Sequence, residues 1–174
     1  MSLNAPTGTT DLLPEMAAKW LAMQNKAAEV FSRYGYLPVE TPTFEQLDVF
    51  VRGIGEATDV VGKEMFLVHS QHSIKEISQG RDVPPKDTLA LRPEGTAGVV
   101  RAIVQQSLVP PGASALKLYY AGSMFRYERP QKGRLREFHQ IGAEIIGAAE
   151  PTADAEVIEM LMSFYISLGI PAES

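Results

Sequence analysis

Hydrophobic side chains recur at three- and four-residue spacing through Trp20, Met23, Ala27, Val30, Phe31 and Tyr34, the period of an amphipathic helix. Pro14 and Glu15 suit its first turn, where proline needs no donor and an acid meets the positive end of the dipole. Gly35 stops it. Residues 36–42 include Pro38 and Pro42, which forbid a central strand but allow an edge one. Leu47, Phe50, Val51 and Ile54 predict a second, short helix, ended by Gly53 and Gly55. Residues 65–68 and 89–91 read as two short strands. Between them, residues 71–88 are polar and close on Val83-Pro84-Pro85, which predicts a loop or extended hairpin tip. Thr96 is placed to cap a helix carrying Val99, Val100, Ile103 and Val104. Leu116, Leu118 and Tyr120 alternate with Lys117 and Tyr119, as a strand would. Strand character continues over 123–129, a loop follows at 130–134, and a long strand is predicted over 135–148. The last helix starts at Thr152, buries Val157, Leu161, Phe164 and Leu168, and ends at Gly169. Long helices mixed with strands of this kind indicate an α+β domain.

The chain has 174 residues, of which 45% are apolar, about 78 side chains and enough for one domain core. Charged residues make up 21%, the globular norm, which argues against disorder. There is no cysteine, so disulfide scaffolds, thiolate metal sites and cysteine nucleophiles are excluded. The three histidines, His69, His72 and His139, form no H-x-x-x-H pair, and no metal site is expected. No apolar run nears the roughly 20 residues that span a bilayer, and the first residues lack the basic and apolar regions of a secretory signal. A soluble cytoplasmic protein without membrane contact is expected.

Net charge is −5, against bulk binding to nucleic acid. Residues 126–136 break the trend with five basic residues (Arg126, Arg129, Lys132, Arg134, Arg136) and one acid, Glu128. Outside them 11 basic residues face 20 acidic ones, a net of −9. A cationic patch on an acidic chain indicates a local anion site, or else a solvated hairpin tip.

Strand alternation refines the first of these readings. Arg126 and Glu128 share one face. On the following strand Phe138, Gln140, Gly142 and Glu144 share a face, with Gly142 leaving room for a ligand, while His139, Ile141, Ala143 and Ile145 lie opposite as core. Arginine supplies a planar fork for phosphate. Phenylalanine offers a ring for a base. Glutamate and glutamine can hold an ammonium or an imidazole N–H. Together they describe a nucleotide beside a small cationic amine. The alternative is a structural ion network pairing Arg126 with Glu128 or Glu144. A second cluster, Leu91 to Gly98, holds Glu94 at a helix start beside Gly95. By itself it reads as a capping turn.

These clusters join in one resemblance. Phe125-Arg-Tyr-Glu-Arg-Pro-Gln-Lys-Gly-Arg134, then Glu137-Phe-His-Gln-Ile-Gly-Ala-Glu144, resembles motif 2 of the class II aminoacyl-tRNA synthetases, in the version of the histidyl-tRNA synthetase family. Gly8-Thr-Thr-Asp-Leu-Leu-Pro14 and Glu40-Thr-Pro-Thr-Phe-Glu45 resemble the region of motif 1, with Pro42 as its proline. Thr58 to Met65, Leu91-Arg-Pro-Glu-Gly-Thr96 and Asp154-Ala-Glu156 are similar to the same family, in the same order.

The resemblance implies an antiparallel β-sheet flanked by helices, distinct from a Rossmann fold. It implies activation of histidine with ATP and Mg²⁺ to an adenylate, followed by transfer to tRNA(His). It assigns the α-phosphate and carboxylate region to Arg126 as catalytic residue, the adenine amino group to Glu128, the adenine ring to Phe138 and the terminal phosphates to Arg134. Histidine would be held by Glu94, Gly95, Thr96, Arg126 and Gln140, with Glu144 accepting from its imidazole. Arg129, Gln131 and Lys132 would approach the tRNA acceptor stem, and Pro42 would mark a homodimer contact. Residues 1–174 would be the N-terminal portion of the catalytic domain, with motif 3 and the anticodon-binding domain absent, and inactive alone. Departures from the family pattern are Leu135, Glu137 and the long stretch 71–88. Two other readings compete: a histidine-sensing regulatory subunit of ATP phosphoribosyltransferase, and a paired-carboxylate hydrolase using Glu94 and Glu144.

Overall fold

In the computed structural model, which describes residues 3–55, 57–84, 87–109, 115–129, 131 and 133–171, the helix announced by Pro14 runs as α1, Pro14–Arg33. Its apolar stripe buries Ala27, Val30 and Phe31. Gly35 follows with φ +80, a left-handed turn that suits glycine. Strand β1, Leu37–Pro38, is short and lies at a sheet edge, as its proline requires. It pairs in parallel with β5, Leu116–Phe125, placing Leu37 opposite Leu118. On the other side of β5 lies β6, Glu137–Ile146. A second sheet joins β2, Phe44–Gln46, antiparallel to β4, Leu89–Leu91, with β3, Leu67–Val68, antiparallel on its far side. Helices α2 (Leu47–Ile54), α3 (Asp59–Lys63), α4 (Gln71–Ser78), α5 (Thr96–Gln106) and α6 (Pro151–Ser167) complete the described elements. The fold is α+β.

The chain forms two compact units. The first comprises Met1–Thr10, Thr41–Gln105 and Ser123–Gln140. Its apolar cluster is small, with Phe50, Ala90 and Ala97 buried and Leu47, Val49, Ile54 and Met65 around them. Gly53 of α2 lies so near α5 that a Cβ there would stand 2.7 Å from Ala97 Cβ. The second comprises Asp11–Glu40, Gln106–Gly122 and Ile141–Ser174. Its cluster of Ala27, Val30, Phe31, Tyr36, Met160 and Phe164 is aromatic, with Met23, Tyr119, Ile141 and Ala143 packed on it. The Phe31 ring meets Tyr119 edge-on at 5.5 Å and Phe164 at 5.5 Å. Lys117 Nζ donates to the Tyr34 carbonyl at 3.2 Å and to Glu156 Oε2 at 2.7 Å.

Four expectations are corrected. Residues 71–78 form helix α4 instead of a loop; Ser70 Oγ caps it by accepting from Ser73 N at 3.1 Å, and Ile74 and Ile77 recur at helical spacing. Strand β5 ends at Phe125, not Arg129, and β6 begins at Glu137 and ends at Ile146. In α6 the buried residues are Met160 and Phe164, while Leu161 and Leu168 are 42% and 37% exposed. That helix is apolar on nearly every side, so its period does not single out one face. His139, expected in the core, is exposed.

Candidate functional site

Most of the candidate residues lie in the first unit, and the turn 91–97 organises them. Strand β4 delivers Arg92, whose Nε donates to the Ser123 carbonyl and Nη1 to the Thr41 carbonyl, each at 2.9 Å. The Arg92 amide donates to the Thr43 carbonyl at 3.0 Å, and its own carbonyl accepts from Phe125 N at 2.9 Å. Arginine is suited to such a post because its fork reaches several carbonyls at once. Nothing local in the sequence singles out Arg92; these four hydrogen bonds to two segments, 41–43 and 123–125, make it the bolt of this turn.

Glu94 is what closes the turn onto α5. Its Oε2 accepts from Thr96 N at 2.5 Å and its Oε1 from Ala97 N at 2.9 Å. The cap of α5 is therefore Glu94, not Thr96, which is the first helical residue and exposed. A carboxylate there is favoured by the free N–H groups and the dipole. Both oxygens keep a second lone-pair site. Gly95 is buried. Gly98 lets α5 pass close to Thr41, whose Oγ1 would be 3.1 Å from a Cβ there.

Arg126 links this turn to the basic segment. Its Nε donates to the Pro93 carbonyl at 3.0 Å, and its guanidinium lies 5.4 Å from the centroid of the Phe138 ring. In place of the Arg126–Glu128 pairing of the alternative reading, Arg134 pairs with Glu128 at 3.3 Å. Arg134 is 65% exposed and Glu128 19%, so the pair contributes little and can open at small cost. Gln131 and Arg134 exchange backbone hydrogen bonds of 3.1 and 2.9 Å around Gly133, whose φ is +82. Arg129, Gln131 and Arg134 are exposed; Gln140 and Phe138 are half-buried. Lys132 lies outside the described residues.

Arg136 belongs to the scaffold. Its amide donates to the Gly8 carbonyl at 2.7 Å, its Nε to the Glu128 carbonyl at 3.2 Å, and its guanidinium covers the Tyr127 ring at 4.1 Å. Tyr127 in turn meets Phe66 edge-on at 5.3 Å. Gly8, with φ +86, has no space for a Cβ because one would stand 2.8 Å from Arg136 Cγ. That contact explains why a glycine far away in sequence serves the hairpin.

Glu144 is in the second unit, half-buried, where Tyr120 Oη donates to its Oε1 at 3.5 Å. The space above Gly142 is filled by the Tyr120 ring, which corrects the expectation that it holds a ligand. Pro42 is exposed and lines an open groove of about 870 Å³ in the first unit, with Val49, Gly53, Ala97, Val100 and Val104. Among the described residues no group of three His, Cys, Asp or Glu side chains could hold a metal ion, and no helix is long and apolar enough to cross a membrane.

A family model described as histidyl-tRNA synthetase matches residues 8–66 and 60–173. The histidine–tRNA ligase of Oceanobacillus iheyensis is 46% identical over 170 residues, 98% of this chain and 37% of the relative. That of Streptococcus uberis is 47% identical over 171 residues, again 98% and 37%. The chain thus spans about 37% of the length of these curated relatives. Among solved structures, apo histidyl-tRNA synthetase of S. aureus superposes with a TM-score of 0.73 at 34% identity, covering 97% of this chain and 35% of that one. A Bacillus halodurans protein described as an ATP phosphoribosyltransferase regulatory subunit/histidyl-tRNA synthetase gives 0.76 at 26% identity, covering 98% and 39%.

Proposed function

The chain belongs to the histidyl-tRNA synthetase family, and from that premise we propose that the full-length protein is a histidine–tRNA ligase, forming histidyl-adenylate from histidine and ATP and passing it to tRNA(His). One observation carries this reading: Arg126 binds the Pro93 carbonyl of the Glu94 turn while lying over the Phe138 ring. A fixed cation thereby stands between an acceptor suited to an ammonium and a platform suited to a base.

The step is attack of the histidine carboxylate on the α-phosphorus, with pyrophosphate leaving. The nucleophile is already ionised, so no general base is needed. Catalysis then consists of positioning and of neutralising charge on the phosphoryl oxygens. Arg126 supplies that charge as the catalytic residue. Its Nε is committed to Pro93, which leaves the Nη groups for anions. Mg²⁺ would enter with the ATP phosphates and add charge there. Glu94, Gly95, Thr96 and Gln140 hold the amino end of histidine, and Glu144 accepts from the imidazole. Glu128 takes the adenine amino group and Arg134 the terminal phosphates, after the exposed pair they make here opens. Phe138 presents the ring face not covered by Arg126 to adenine.

Residues 1–174 are the motif 1 and motif 2 part of the catalytic domain in this reading. Arg129, Gln131 and Lys132 approach the acceptor stem, and the groove at Pro42 is the homodimer contact. The place of action is the cytoplasm. The test is histidine-dependent exchange of pyrophosphate into ATP by the full-length protein. Exchange is expected. Histidine binding without exchange would instead make the protein a histidine-sensing regulatory subunit; the name of the Bacillus halodurans protein includes an ATP phosphoribosyltransferase regulatory subunit.

A further inference from the structure

Within the second unit, β5 and β6 sort their side chains between two faces. Tyr119 of β5 and Ile141 and Ala143 of β6 pack against the aromatic cluster. By alternation Tyr120, Gly142 and Glu144 belong to the opposite face. Tyr120 is only 7% exposed. Its ring lies over Gly142 so closely that a Cβ built there would fall against Cζ and Oη and 2.7 Å from Cε2. No other residue type fits at 142 with the ring in place. The ring brings its hydroxyl within 3.5 Å of Glu144 Oε1, a long contact that a small rotation of either side chain would tighten.

We infer that Tyr120, seated on Gly142, is a positioning residue that fixes the carboxylate of Glu144 for reading an imidazole. A glutamate side chain has three rotatable bonds, and ordering it on binding costs entropy. A phenol donor on one carboxylate oxygen orders the group beforehand. Preorganising an acceptor in this way improves affinity without a new contact to the ligand. A phenylalanine would fill the same volume over Gly142, so the hydroxyl is the part that packing does not explain. This inference rests on the reading of Glu144 as the imidazole acceptor.

The experiment is a double-mutant cycle in the full-length protein, with histidine and ATP binding each measured by calorimetry. Glu144→Gln tests the reading itself, and Tyr120→Phe tests the positioning role with the ring retained. Tyr120→Phe is expected to weaken histidine about fivefold, the range of one modest hydrogen bond, with ATP affinity unchanged. In the Glu144→Gln background the same change is expected to add less than about twofold, since coupled residues are not additive. Equal loss in both backgrounds would overturn the inference by showing that Tyr120 acts apart from Glu144. Loss from Glu144→Gln with none from Tyr120→Phe would overturn it while leaving the reading of Glu144 intact. If neither change weakens histidine, the reading falls and the inference with it.

Discussion

The two units hold themselves together by different physics. The second is built on contacts among Phe31, Tyr36, Tyr119, Met160 and Phe164, which are strong in total and loose in direction. The first has a small cluster around Phe50, Ala90 and Ala97. Its geometry is set by arginines aimed at carbonyls: Arg92 on Thr41 and Ser123, Arg126 on Pro93, Arg136 on Glu128. A hydrophobic cluster fixes which elements meet. Directional hydrogen bonds fix where a particular atom sits. The unit that carries nearly all of the proposed chemistry is the one held by directional bonds, as a site that works by positioning requires.

The largest effect should come from emptying the aromatic cluster. Phe31 is 3% exposed and makes ring contacts with Tyr36, Tyr119 and Phe164. Phe31→Ala should destabilise the second unit by about 3–5 kcal/mol, read by urea denaturation of the 174-residue chain. A loss under about 1 kcal/mol would mean that the cluster is not the anchor of that unit.

Next is Arg126→Lys, which keeps the charge and loses the fork that serves Pro93 and the anion together. Adenylate formation in the full-length protein should fall by about 30- to 1,000-fold, the weight of roughly 2–4 kcal/mol in the transition state. Pyrophosphate exchange and a melting curve measured together separate the outcomes. A melting temperature that drops while the rate holds would make Arg126 a tie of the fold alone.

Glu94→Ala tests the turn itself. Two N–H groups at the start of α5 lose their acceptor, which should cost about 1–2 kcal/mol. Hydrogen exchange at the Thr96 and Ala97 amides reads it locally. Protection unchanged at both amides would show that the cap is not holding the helix start.

The same division explains what could be read from the sequence. Helix α1 was legible because its apolar stripe has one period and one face, and its ends carry Pro14 and Gly35. Helix α6 was legible as a helix but not in its orientation, since apolar residues surround it. The candidate site residues are recognisable as types in order. Their joints are not. Nothing local marks Arg92 as tied to Thr41, or Gly8 as the seat of Arg136, because each partner is distant in sequence. Tyr120 read as an alternating strand residue, and only the missing Cβ at Gly142 shows what its ring does. Helix α4 was hidden by the Pro84-Pro85 that follows it, although Ser70 offered a cap signal.

The smallest predicted effect concerns one polar atom inside the apolar unit. Tyr36 is 1% exposed, and among the described residues its hydroxyl has no hydrogen-bond partner. Burial pushes its pKa up from 10.0, and the nearby Glu156 carboxylate pushes it further in the same direction. Both causes oppose the phenolate. In the unfolded chain the phenol ionises from about pH 10, whereas in the folded chain it keeps its proton to higher pH. Over that interval the folded state binds more protons, so stability falls as pH rises, at no more than about 1.4 kcal/mol per pH unit for one group. Below the unfolded value this contribution is fully present and flat. Tyr36→Phe removes the titration and a buried hydroxyl without a partner. The variant should therefore equal or exceed the native chain by up to about 1 kcal/mol at neutral pH. Between pH 10 and 11 its advantage should widen, as read by urea midpoints at both values. A gap that stays constant across that interval would show that Tyr36 titrates alike folded and unfolded, and that the aromatic cluster admits enough water to solvate a phenolate.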